Sequence, residues 1–452
     1  MVNDTMIRAP GGVLARSIKP SSQKPASKAL AKKPAALKSA STKPKIALAL
    51  AGGGPLGAMY EIGVLMALDE ALDGLNLNDM DIYVGVSAGS FLTAGLANQL
   101  TPTEIYRMFI DNELRAAGQG ALKPELFLKP AWREYGRRLK SVPRLAAQGL
   151  LRYLASPIHR STLESFAPLF RAIPAGIFDN EGISRFLTAA FNQPGRTNDF
   201  RQLKRKLYTV AVDLDTGRAI TFGSAGYDHV PIAKAVQASS ALPGLFPPVE
   251  VGGHYYVDGA LKKTLHASLA LEDGAELVIG VNPLVPYDGD AAKRRAGHRS
   301  RAGMEKLIEG GLPVVLSQTF RTIIHSRMHT GLEKYANKYK NASIVLFEPG
   351  TDDPEMFFTN LFSYSSRKRV CEHAYQRTRA DLLKRRYELE PVLARFGITL
   401  DVNALKDEKR TLDSRVFKKR QPTRDQRFHD ATVDLTDAIV DLERWVARSR
   451  AA

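Results

Sequence analysis

Three small motifs carry groups that could do chemistry. Gly85-Val86-Ser87-Ala88-Gly89 follows a short β-branched run, Ile82-Tyr83-Val84, and precedes a helical stretch, Phe91 to Asn98. Strand, sharp turn and helix form the context in which Gly-x-Ser-x-Gly lifts a serine hydroxyl clear as a nucleophile. The alternative is a serine that only caps the next helix. Ala51-Gly52-Gly53-Gly54-Pro55-Leu56-Gly57 lies between another apolar run and another helical pattern. Its backbone N–H groups could hold a developing negative charge, aided by the helix dipole. Gly52, Gly54 and Gly57 also fit a dinucleotide fingerprint, but that reading needs an acid ending the second strand. Gly85-Val86-Ser87 stands there instead, which favours an oxyanion hole. Tyr255-Tyr256-Val257-Asp258-Gly259-Ala260 ends a short aromatic strand in an acid. Asp258 there is either a turn former or a general base at a sheet's carboxyl edge.

Two histidine readings accompany these motifs. A triad would add a histidine after the acid in chain order, and His266 is the nearest candidate, in a stretch (265–271) that reads as helix. The preferred arrangement is a Ser87–Asp258 dyad. His325 and His329 stand at i, i+4 with no acid beside them in sequence, so they read as a helix-surface pair rather than a zinc site. No metal and no cofactor is expected.

The elements that must position these groups alternate. Ile46 to Leu50, Ile82 to Val84, Leu207 to Val212, Leu277 to Val281 and Ser343 to Phe347 read as buried strands. Ala58 to Leu72 and Ile232 to Ser240 read as helices, and Asp215-Thr216-Gly217 as the turn of a hairpin with Ala219 to Phe222. From Thr101-Pro102-Thr103-Glu104, a helix start, the pattern turns helical and basic. There Trp132, Tyr135, Leu139, Val142, Leu145, Leu150, Leu151 and Leu154 interleave with Arg133, Arg137, Arg138, Lys140, Arg144 and Arg152. Pro143 and Gly149 are expected to break this stretch into short helices. Helical patterns return over about 304–339, 366–395 and 429–447, and residues 407–427 are dense in charge and expected to be loose.

Composition sets outer limits. The chain has 452 residues, 44% hydrophobic and 25% charged, as an ordinary globular protein does. Lys plus Arg less Asp plus Glu is 64 − 47 = +17, which points to anionic partners: lipid surfaces or, less expected, nucleic acid. Met1 to Lys45 holds ten Lys/Arg and one Asp, or +9 of that charge, and reads as a disordered basic tail ending at residue 44. Tail and basic helices together suggest peripheral contact with an anionic membrane. One cysteine, Cys371, forms no internal disulfide. With no spanning run and no apolar leader, a cytoplasmic protein, peripheral to a membrane or lipid surface, is expected.

The glycine loop, Gly-x-Ser-x-Gly and Asp-Gly-Ala, in this order, resemble the patatin-like phospholipases, a family of lipid acyl hydrolases. The resemblance covers about residues 45–285, including Asp213 to Arg218, Ser240-Ala241-Leu242-Pro243 and Phe246-Pro247-Pro248. It implies an α/β/α three-layer fold with a helical cap, Ser87 as nucleophile and Asp258 as base. Gly52, Gly53, Gly54 and Gly57 would form the oxyanion hole. It implies phospholipid or another acyl ester as substrate. Outside the resemblance, the pattern of elements is read as a domain over 45–350 with a cap over about 100–176 and a C-terminal helical extension over 351–452. Leu56 departs from the family pattern, standing where a basic residue is usual. Two other functions stay open: an esterase for a storage polyester or acyl thioester, and a non-catalytic basic binding protein with a vestigial pocket.

Overall fold

The computed structural model describes residues 43–110, 128–155, 166–296, 307–359 and 366–416. All but the last two residues of the basic tail, and the helix expected over 429–447, lie outside them.

Apolar runs with no polar alternation fit strands covered on both faces, and β1 (Lys45–Leu50) is one, with its last four residues buried. Between β1 and β3 (Ile82–Val86) come α1 (Gly54–Ala71) and the two-residue β2 (Leu72–Asp73). After β3 follow α2 (Ala88–Ala97), α3 (Pro102–Ile110), α4 (Trp132–Ala155) and α5 (Glu181–Phe191). Then come β4 (Lys206–Asp213), β5 (Ala219–Phe222), α6 (Ile232–Ser239), β6 (Val249–Val251) and β7 (His254–Asp258). The chain continues through α7 (Ala267–Glu272), β8 (Ala275–Val281), α8 (Gly311–Lys338) and β9 (Ser343–Phe347). α9 (Arg367–Lys384), α10 (Arg386–Ala394) and β10 (Thr399–Leu400) follow.

The eight-stranded sheet runs β6-β7-β4-β3-β1-β8-β9, with β5 also paired to β4. Its centre, β4-β3-β1-β8-β9, is parallel, and β5, β6 and β7 join antiparallel. Parallel strands bury both faces under crossover helices, and two apolar clusters flank this sheet accordingly. The larger gathers α1, α2, α3, α5, α6 and α9; the smaller holds α7 and Met328 of α8. This is the mixed α/β architecture with a mostly parallel sheet that the sequence implies.

Three expectations differ from the structure. α1 begins at Gly54 rather than Ala58, so the third glycine of the loop is already helical. α4 is one helix of 24 residues through Pro143. Proline removes the bond to the carbonyl four residues back, Leu139. Leu139 is 72% exposed, so water can take that carbonyl. Residues 407–416 are tied down rather than loose: Arg410 pairs with Glu70 and Arg415 with Asp69 on α1, and Leu412 is buried.

Candidate active site

The close approach of α2 to the sheet dictates the glycines around Ser87. A Cβ on Gly85 would lie 2.1 Å from Thr93 Oγ1 and 2.5 Å from Ser90 Cα. One on Gly89 would lie 2.5 Å from the Leu50 carbonyl oxygen, so neither position admits a side chain. Between them Ser87 turns the chain at φ 50°, ψ −121°. A non-glycine residue there costs on the order of 1–3 kcal/mol, strain characteristic of functional sites. The surroundings hold it in place. Ser87 N–H donates to Ser239 Oγ at 2.8 Å, and Ser239 Oγ–H donates to the Val210 carbonyl at 2.6 Å. Ser239 ends α6 and escaped the sequence reading; its only signal there was adjacency to the Ser240-Ala241-Leu242-Pro243 segment.

Asp258 ends β7, which pairs antiparallel with β4 and so brings the carboxyl beside the end of β3. The Ser87 hydroxyl lies near enough to the Asp258 carboxylate to favour its ionised form. The Ala260 amide donates to Asp258 Oδ1 at 2.8 Å, and Asp258 N–H donates to the Ala241 carbonyl at 3.0 Å. Both side chains are buried, Ser87 at 7% exposure and Asp258 at 2%. Burial pushes the Asp258 carboxyl up to about 6, against the lowering by the Ser87 hydroxyl and the Ala260 amide.

The glycine loop faces this pair. A Cβ on Gly52 would stand 3.1 Å from Ser87 Cβ and 3.8 Å from Ser87 Oγ. Gly53 backs onto Pro283, which follows β8, and an added Cβ would meet Pro283 Cγ at 2.5 Å. Gly54 adopts φ 62° and opens α1, whose first turn carries no acid, so the positive end of the helix is left uncompensated toward the site. Gly57 N–H is committed to the Gly53 carbonyl at 3.0 Å. Of the four loop glycines, Gly52 is thus in contact with Ser87, Gly53 and Gly54 mark the helix mouth, and Gly57 packs.

Residues 48–271 match the sequence model of the patatin-like phospholipase family. The chain carries a patatin-like phospholipase domain. The coarse chemical class of a patatin-like domain is lipid hydrolysis. Several solved structures are similar to the chain at low identity. VipD from Legionella pneumophila is 16% identical with a TM-score of 0.34, over 75% of this chain and 67% of VipD. The type III effector protein ExoU, known from Pseudomonas aeruginosa, is 14% identical with a TM-score of 0.33, over 76% of this chain and 53% of ExoU. Human GIVD cytosolic phospholipase A2 in complex with a fluorophosphonate is 13% identical with a TM-score of 0.23, over 53% of this chain and 40% of that enzyme. The chain thus spans about half the length of ExoU.

His266 stands apart from the patatin-like pair. It precedes α7 at φ 47° rather than lying within the helix. The Gly259 backbone favours its charged form, neither Ser87 nor Asp258 is among the groups acting on its ring, and its buried Nε2 has no hydrogen-bond partner among the described residues. Burial, with Lys263 nearby, lowers its pKa to about 4.

The segment before α5 reaches the same loop that holds Asp258. Ile177 and Phe178 N–H groups both donate to the Leu245 carbonyl, at 3.0 and 2.9 Å. α4 turns Glu134 and Leu145 inward, while Trp132, Leu139, Leu150 and Leu154, spaced by whole turns on the opposite side, are 51–72% exposed. A helix normally buries its apolar stripe; this one shows it to solvent. Among the described residues no helix is long and apolar enough to cross a membrane.

Proposed function

We propose that this protein hydrolyses lipid acyl esters through a Ser87–Asp258 dyad. Asp258 takes the hydroxyl proton as Ser87 Oγ attacks the acyl carbonyl, and the tetrahedral oxyanion rests on the N–H groups of Gly53 and Gly54. The protonated Asp258 then gives its proton to the leaving alkoxide, leaving an acyl-enzyme. A water, deprotonated by Asp258, attacks that ester; fatty acid leaves and Ser87 regains its proton. Phospholipid or lysophospholipid is the substrate class. The observation that carries this reading is a strained Ser87 whose hydroxyl stands beside a buried carboxylate and lowers its pKa. That neither Ser87 nor Asp258 acts on the His266 ring supports a dyad over a triad.

The catalytic unit in this reading is 45–350, with 100–176 as its cap, 351–452 as a helical extension and the basic tail before it. α4 supports a peripheral role on an anionic lipid surface, since exposed leucines there are flanked by exposed Arg137, Lys140 and Arg144.

A fluorophosphonate probe tests the nucleophile. Wild type should label at one site and release fatty acid from phospholipid, lysolipid or a short acyl ester, and Ser87→Ala should do neither. Undiminished labelling of Ser87→Ala, or no fatty acid released from any of the three substrates, would refute the assignment. His266→Ala should keep most turnover; loss as complete as in Asp258→Ala would replace the dyad with a triad.

A further inference from the structure

The acid missing beside His325 and His329 in the sequence arrives from another element. Glu348 follows β9, and its carboxylate faces the two rings on α8. His325 Nε2 and His329 Nε2 are 3.0 Å apart, and Glu348 oxygens lie 4.0 Å from the first and 3.8 Å from the second. The i, i+4 spacing stacks both imidazoles on one helix face, and both present the same nitrogen to the same point. Two ring nitrogens converging at that distance share at most one proton, which leaves a lone pair aimed into the gap.

The geometry points to a transition-metal site, best suited to Zn2+, formed by His325 Nε2, His329 Nε2 and the Glu348 carboxylate, with its fourth position open to water. Two imidazoles and a carboxylate make a donor set that zinc takes with bonds of about 2.0–2.2 Å, which puts tetrahedral donors about 3.3 Å apart. The histidine pair already stands near that separation. The carboxylate needs to advance by about 0.5–0.7 Å, within the reach of a glutamate side-chain rotation. His329 is 47% exposed at its side chain, so an ion has a path in and a water has room to complete the shell.

The supporting shell is present as well. Asn282 Nδ2–H donates to Glu348 Oε1 at 2.7 Å, and Asn282 N–H donates to the Phe347 carbonyl at 2.9 Å, so the carboxylate is oriented from the end of β8. Oriented second partners of this kind are typical of metal ligands.

Such an ion would join α8 to the carboxyl edge of the sheet. α8 already rests there through Gln318, whose Nε2–H donates to the Tyr287 carbonyl at 2.8 Å, and Arg321, which donates to the Val285 carbonyl at 3.2 Å. Glu348 is bonded to Asn282, and the next residue, Pro283, walls the glycine loop. The site is therefore a brace behind the loop rather than part of the Ser87–Asp258 pair.

Titration of the untagged full chain with Co2+ tests this directly. One equivalent should bind with the intense visible bands of a four- or five-coordinate ion, and one equivalent of Zn2+ should erase them. Saturating Zn2+ should raise Tm by about 3 °C or more. His329→Ala, a half-exposed position that leaves the core intact, should lose both effects, while Ser87→Ala should keep both. Absence of the bands at about a hundredfold excess of Co2+, or bands and Tm shift of full size in His329→Ala, would overturn the proposal. Because Ser87→Ala retains the site, failure here is separate from failure of the hydrolase reading.

Discussion

At the residue scale the decisive property is that Asp258 is both buried and close to charge-neutral in its surroundings. Its carboxyl is raised from the usual 3.8 to about 6, with burial as the cause. The base works only when ionised, so kcat/KM should rise through pH about 6 rather than about 4 and fall away below it. A profile flat between pH 4.5 and 7.5 would rule Asp258 out as the base. The same shift has a cost in stability. The folded state holds the proton more tightly than the unfolded one, so stability is highest below the unfolded pKa and is lost as pH rises through about 6. Two units correspond to about 3 kcal/mol. Asp258→Asn keeps the shape without the charge, and it should therefore be inactive yet more stable than wild type at pH 8, by about 1–3 kcal/mol. That difference should vanish near pH 4, as denaturant melts at the two pH values would reveal. Glu61 and Glu348, also raised by burial, pull wild type the same way. Ser87 and Asp258 could be named from the sequence because their motifs fix local backbone shape. Ser239 could not, since its role depends on where α6 ends against β4. Glu348 could not either, as nothing local ties it to histidines about twenty residues away on another element.

At the scale of elements, the strands were legible because continuous apolar runs admit no other burial. β9 matches its expected bounds, and β4 and β8 extend theirs by one or two residues. What the pattern could not reveal is which helix packs on which. The match to the patatin-like family ends at residue 271, but α9 lies against α1 in the main core through Val370, Cys371, Ala374 and Tyr375. The crossing is tight at one point. A Cβ on Gly63 of α1 would meet the Cys371 carbonyl oxygen at 2.3 Å and Ala374 Cβ at 2.7 Å. Backbone cannot yield there as a side-chain tip would. Gly63→Val should cost about 2–3 kcal/mol by overpacking, although valine is an ordinary helix residue on the apolar side. Gly136→Ala in α4, where an added Cβ meets nothing within 4 Å, is the control and should be neutral or slightly stabilising. Equal melting temperatures for Gly63→Val and wild type would show that α1 and α9 do not pack as described. Continuity of α4 through Pro143 is the counterpart lesson: a proline breaks a helix only where the carbonyl it orphans has no water.

On the scale of the whole molecule, the proposed lipid surface would be met by a net charge of +17 and by an outward apolar face on α4. Charge alone brings a protein to an anionic surface and fades with salt, whereas apolar side chains entering the interface hold it once there. About 1 kcal/mol accrues per basic residue near an acidic leaflet, and each leucine leaving water contributes on the order of 1.5–3 kcal/mol. Trp132, Leu139 and Leu151 stand 67–72% exposed on α4 beside Arg137, Lys140 and Arg144, so both contributions meet on one helix. Sedimentation with phosphatidylserine-containing vesicles should therefore show binding that weakens at least tenfold between about 0.05 and 0.5 M salt. Phosphatidylcholine vesicles should bind far less at low salt. Leu139→Ser with Leu151→Ser should lower partition by about tenfold or more at either salt, since it removes the part that screening does not touch. Hydrolysis of a soluble short-chain ester by that double variant should stay at the wild-type level, because both leucines are exposed while Ser87 and Asp258 are buried. Binding indifferent to both lipid charge and these two leucines would mean that α4 faces something other than a membrane. Loss of short-ester turnover in the double variant would mean instead that α4 acts on the Ser87–Asp258 pair itself.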